Sequence, residues 1–215
     1  NMGKKSDRKA KEKLSKRPSN RSSNKTIFIT VGVFVLAALV FSFFYQRGNT
    51  KPALTVIVNP DTLPGIQTSE APWPPEFSHL RERLKMIGLP AMSEEGTTLH
   101  SHQHIKIYIK GKPVQVPSGI GSPPQFITTI HTHDATGEIH IESPTVQTFT
   151  LGQFFDVWGV RFSSTCIGSY CEDQQNSVKV FVDGKAVAGD PRTMALVDQQ
   201  EIVVAYGTSE ELPKL

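Results

Sequence analysis

The chain has 215 residues, a formal net charge of +3 and a sequence pI near 8.8. The charge is unevenly placed: residues 1–25 hold ten Lys or Arg against Asp7 and Glu12, a net of +8, which leaves the remainder at −5. A nucleic-acid surface on that remainder is excluded, because neutralising phosphates requires clustered Lys and Arg.

Residues 1–25 are almost without apolar side chains and are expected to form a disordered tail. Residues 26–45 are an uncharged apolar run, from Thr26-Ile27-Phe28 to Phe43-Phe44-Tyr45. As a helix rising about 1.5 Å per residue this run spans roughly 30 Å, the hydrocarbon thickness of a bilayer. A single transmembrane helix is therefore predicted. The run ends Tyr45-Gln46-Arg47, without the small-x-small site at which a signal peptide is cleaved, so it reads as a retained anchor. Basic flanks stay in the cytoplasm, which places the tail inside the cell membrane and everything after residue 45 outside it.

About 170 residues then remain, enough for one domain with a core. Residues 46–75 carry Pro52, Pro60, Pro64, Pro72, Pro74 and Pro75, and predict an extended extracytoplasmic stalk with one short strand at 54–58. The domain proper is expected over 76–215. It opens with an amphipathic helix at 76–87, with Phe77, Leu80, Leu84 and Ile87 on one stripe and Gly88 as terminator. His79 lies off the stripe and reads as a surface histidine.

From residue 98 the hydrophobic period changes to two. Leu99, Ser101, Gln103, Ile105, Ile107 and Ile109 point one way, while His100, His102, His104, Lys106 and Tyr108 point the other. Lys110-Gly111-Lys112-Pro113 turns the chain back through Val114 and Val116. A second hairpin centred on Asp134-Ala135-Thr136-Gly137 puts His133 opposite Glu138, His131 opposite His140 and Thr129 opposite Glu142. Directly opposed residues have Cβ atoms roughly 4.5–5.5 Å apart, close enough for two imidazoles to share an ion.

Thr150 and Gln153 are spaced as a capping box for a short helix carrying Phe154, Phe155, Val157 and Trp158, ended by Gly159. Cys166 and Cys171 follow. Outside the membrane they favour a disulfide; a thiolate metal pair or a redox dithiol is the alternative, although the spacing is neither C-x-x-C nor a zinc ribbon. Residues 178–187 then echo 105–114, and residues 195–204 stand where the second His hairpin stood. The expected fold is α+β, two related β-hairpin pairs joined by a short helix.

Six of the seven histidines, His100, His102, His104, His131, His133 and His140, thus fall on three strands. The second unit of the echo has none, so the hairpin pair does not need imidazoles to fold. Surface or hydrogen-bonded histidines would be the ordinary reading of any one of them; six together mark a ligand set, with Glu138, Glu142 and Asp134 as further ligands or a base. Nitrogen donors with carboxylates suit Cu(II) or Zn(II), and Ca(II) and Mg(II) poorly. Same-face neighbours on a strand are roughly 6.5–7 Å apart, so either His102 and His104 join the second hairpin with His100 peripheral, or there are two sites.

His131-Thr132-His133, followed by Glu138, resembles the first half of the cupin metal motif, two His and a Glu; the second half of that motif is not apparent. More broadly, residues 99–121, 131–144 and 149–159 look like a family of single-pass extracytoplasmic proteins of archaea and bacteria. That resemblance implies the location and brings no activity with it. Three functions fit: a metal-binding or metal-delivery module that passes copper or zinc to an acceptor protein, a metalloenzyme in which Glu138 or Glu142 is the general base, or an accessory subunit of a membrane-protein complex. No HExxH helix, Ser-His-Asp set or phosphate-cradling glycine loop is present.

Overall fold

The computed structural model describes residues 58–214. The basic tail, the apolar run and the predicted strand at 54–58, apart from Val58, lie outside the described residues. No helix among the described residues is long and apolar enough to cross a membrane.

The Pro-rich stretch expected to be a stalk up to residue 75 is, from Val58 on, part of the domain. A 3-10 turn at Pro60–Thr62 is capped by the Asn59 side chain, which accepts from the Asp61 N–H. Leu63 and Trp73 are 4% and 1% exposed. Gln67 sits in a parallel bridge with Val160, its N–H donating to the Gly159 carbonyl at 2.8 Å. Trp73 donates its indole N–H to Ser69 O, accepts at its own carbonyl from Trp158 Nε1, and meets the Trp158 ring edge-on at 6.0 Å. Proline gives this segment an irregular path; the tryptophan and Leu63 nonetheless bury it.

The first helix, α1 (Leu80–Ile87), begins at Leu80 instead of Glu76. The Glu76 carboxylate accepts from the His79 N–H and pairs with Arg83, holding the preceding turn out of the helix. Leu80, Leu84 and Ile87 are buried as expected, whereas Phe77 is exposed. Gly88 closes the helix in the left-handed conformation at φ 73°.

The strands follow in order: β1 (Ala91–Met92), β2 (Leu99–Ile109), β3 (Lys112–Val114), β4 (Ile127–Thr128), β5 (Ile130–His131) and β6 (Glu138–Ser143). Helix α2 (Leu151–Trp158) has the predicted reciprocal Thr150–Gln153 capping box and ends at Gly159. After it come β7 (Cys166–Ile167), β8 (Tyr170–Cys171), β9 (Ser177–Val182), β10 (Lys185–Ala186), a 3-10 turn at Pro191–Thr193 and β11 (Glu201–Gly207). Cys166 and Cys171 are cross-strand partners joined by a disulfide, sulfurs 2.11 Å apart.

One mixed seven-stranded sheet runs β10-β9-β11-β2-β6-β5, with β3 also on β2. The internal echo is real at the turns: Lys110-Gly111 and Asp183-Gly184 have the same positive φ pairs, 50° and 72° against 49° and 76°, the signature of a type I′ hairpin. It does not extend to a second hairpin pair. Residues 195 and 196 bridge back to Thr150 and Phe149, and β11 enters the middle of the sheet, parallel to β2 and antiparallel to β9. The continuous run Ile202-Val203-Val204-Ala205-Tyr206, buried throughout, is what a strand covered on both faces requires.

The β2 face bearing Ile105, Ile107 and Ile109 packs into one core with Ile139, Ile141, Ile202, Val204 and the α2 aromatics Phe154, Phe155 and Trp158. Two buried arginines organise the C-terminal end of α2. Arg83 donates to the carbonyls of Asp156 and Val157, and Arg192 pairs with the Asp156 carboxylate at 2.8 Å. The histidines lie on the opposite face of the sheet.

Candidate metal centre

The register places one row of imidazoles across three adjacent strands. His102 on β2 faces His140 on β6, and His140 faces His131 on β5. The His131–His140 pairing and the approach of Thr129 to Glu142, whose N–H donates to the Thr129 carbonyl at 2.9 Å, match the expected register. His133 and Glu138 do not pair, because β5 ends at His131 and the wide loop to β6 turns its Gly137 carbonyl to Ile105.

His131 is fully buried. Its Nδ1 lies 2.9 Å from the Thr128 carbonyl, and a carbonyl only accepts, so Nδ1 carries the hydrogen. In the neutral ring this leaves Nε2 as a bare lone pair, the orientation that outer-sphere carbonyls impose on metal-ligating histidines. Burial pushes its pKa down to about 4, with the neighbouring His133 and His140 acting in the same direction. The ring is neutral at pH 7 and aims Nε2 at His133 Nε2, 3.2 Å away. Two nitrogens at about 2.0–2.1 Å from a tetrahedral ion stand about 3.3 Å apart.

The donor atoms form two groups. In one, His131, His133, His140 and Glu142 each offer an atom within 4.8 Å of the others; in the second, His100, His102 and His140 do so. His100 Nε2 and His102 Nε2 are 2.9 Å apart. The His131 and His140 rings are parallel with centroids 5.6 Å apart. Burial, then the charges of His133 and His102, lower the pKa of His140. Glu142, 6% exposed, is shifted upward by burial and by the neighbouring Glu95 carboxylate.

His140 Nδ1 and Glu142 Oε2 are buried without a hydrogen-bond partner among the described residues. Buried polar atoms are nearly always paired, so these two orphans, set among convergent imidazoles, fit a bound cation. The set is nitrogen and carboxylate only, which suits Zn(II) and Cu(II). Both cysteines are engaged in the disulfide.

Three expected ligands are not brought together. His104 is turned away, its ring nitrogens 3.3 Å from Glu201 Oε2 and 2.8 Å from the Thr136 carbonyl. Asp134 is held in its own turn, accepting from the Thr136 N–H at 2.9 Å, and the hydrogen bonds from Thr136 lower its pKa. Glu138, where the cupin resemblance puts the carboxylate, stays half-exposed, 3.9 Å from His102 Nδ1 and from His140 Nε2, outside both groups. Glu142 takes that role because it is four residues further along the same face of β6 and buried.

Sequence reasoning missed Glu95. It reaches His133 Nε2 at 3.8 Å from the irregular loop between β1 and β2. The loop can lie there because the next residue is Gly96, where a Cβ would stand 2.2 Å from the Ser143 carbonyl carbon. A glycine beside paired acidic residues is a weak signal in a sequence. Beside the centre, an open cleft of about 520 Å³ is bordered by His102, Glu138, Thr136 and Glu201.

Compared with protein-family models, with curated proteins and with solved structures, the chain finds no match.

Proposed function

We propose that this protein is a membrane-anchored, extracytoplasmic metal carrier that takes up Cu(II) or Zn(II) at the histidine face and passes it to an acceptor protein. The observation that carries the metal reading is the buried His131 Nε2, preset as a lone pair, beside the orphaned His140 Nδ1 and Glu142 Oε2. The anchoring and the location rest on the apolar run at 26–45 and its basic flank, and on the resemblance to single-pass extracytoplasmic proteins. Delivery fits a centre that is exposed at one end: His100 and His133 are 57% and 46% exposed while His131 is closed off, so an incoming ligand meets the outer histidines first.

One observation favours a metalloenzyme instead. The cleft beside His102 is bordered by Glu138, a carboxylate outside both donor groups that would serve as a general base for a water on the ion.

Elemental analysis of the tag-free full chain, dialysed at neutral pH after exposure to Zn(II) or Cu(II), tests the metal reading. Bound metal is expected, with lower content in His131→Ala and in His140→Ala and no change in His79→Ala. Equal content in the wild type and the first two variants would refute it.

A further inference from the structure

Resting on that metal-binding reading, we infer that the centre is built for two divalent ions that share the carboxylate of Glu142. Donors on one ion, at about 2.0–2.2 Å from it, lie within about 4.4 Å of each other. The histidines of this face do not meet that condition as one set. They fall into two groups, with His100 and His102 in one, His131 and His133 in the other, and only His140 within reach of both.

Glu142 lies between the groups and offers one oxygen to each. Its Oε1 is 3.3 Å from His100 Nε2 and 3.8 Å from His140 Nδ1. Its Oε2 is 3.9 Å from His131 Nε2 and has no hydrogen-bond partner among the described residues. A single ion on the His100 side would leave that second oxygen and the His131–His133 pair unserved, and an ion on the His131 side would leave His100 and His102 unserved.

The strands explain why the pairs converge on one carboxylate. His100 and Glu142 are register partners on β2 and β6, and His131 lies across from His140, two residues before Glu142 on the same face. A central strand flanked by two others on a histidine-bearing face therefore presents one acidic side chain to both neighbours. Glu95, outside the donor group itself, adds a second negative charge beside it, 3.8 Å from His133 Nε2. The outer ion is held by His100, His102 and His140, and Glu142, whose place is in the other group, reaches it through Oε1, 3.3 Å from His100 Nε2. Carboxylate-bridged ions of this kind stand about 3.5–4 Å apart.

The test is a titration of the full, tag-free chain with Zn(II), and separately with Cu(II), counting ions bound per chain after equilibrium dialysis. His100→Ala and His133→Ala change exposed side chains, so the fold is spared, and each removes a ligand from one group only. Two ions per chain are expected in the wild type and one in each variant. With Cu(II), the doubly loaded wild type should show magnetic coupling in its electron paramagnetic resonance spectrum, and each variant the spectrum of an isolated ion. One ion per wild-type chain overturns the two-ion centre and leaves the metal reading standing, whereas no bound ion overturns both. Two ions with uncoupled spectra overturn the sharing of Glu142.

Discussion

The buried, neutral His131 makes the metal-free protein sensitive to mild acid in a calculable way. In the unfolded chain the imidazole titrates near its ordinary value of about 6.5; in the fold it is held down to about 4. Above the unfolded value neither state binds the proton and stability is complete. As the pH falls through 6.5 the unfolded chain takes up a proton that the fold refuses, and stability is lost until the folded ring itself titrates near 4. Linkage sets the slope at about 1.4 kcal/mol per pH unit in this window. Between pH 8 and pH 5 the loss from this one group is about 2 kcal/mol. Urea unfolding of the chain at both pH values, stripped of metal, measures the total, and His131→Leu subtracts the other titrating groups. The wild type should lose about 2 kcal/mol more than the variant across the interval. Equal losses would mean that His131 titrates normally, and the argument that its Nε2 is a preset lone pair would fall with it.

Two further outcomes concern the frame around the centre. Trp73→Ala removes a side chain that is 1% exposed, donates its indole N–H to Ser69 O and meets the Trp158 ring edge-on; it should cost about 3–5 kcal/mol in thermal or urea unfolding, and a wild-type midpoint would restore the picture of residues 58–75 as a stalk. Replacing Cys166 and Cys171 together by Ser opens a loop with a sequence separation of 5, worth about 2 kcal/mol by chain entropy. Its bound metal should be unchanged, and a fall in metal content would make the sulfurs ligands.

At the helix caps, the tight turns and the strand period, the reading and the structure agree. The capping box and Gly159 bound α2, Gly88 closes α1, and the positive-φ turns at Gly111 and Gly184 close the hairpins. The period of two puts the β2 histidines on one face, and the His131–His140 pairing follows from the length of the loop between them. Each of these depends on backbone geometry within a few residues, which residue type reports directly.

The departures that decide the centre and its frame involve partners distant along the chain. Residues 58–75 look like a stalk because proline disrupts regular structure, yet Trp73 is buried against Trp158. Glu95 carries no periodicity, and its approach to His133 depends on Gly96 passing over Ser143. His104 has the spacing of a ligand but is captured by Glu201 and the Thr136 carbonyl once β11 lies beside β2. The residue types and the two-residue period determined by themselves that imidazoles would line one face of a sheet. Which of them meet at one point was decided only when β11 entered the middle of the sheet and β6 came to lie between β2 and β5, because the placement of whole strands is set by burial of the shared core and not by any local preference of the histidines.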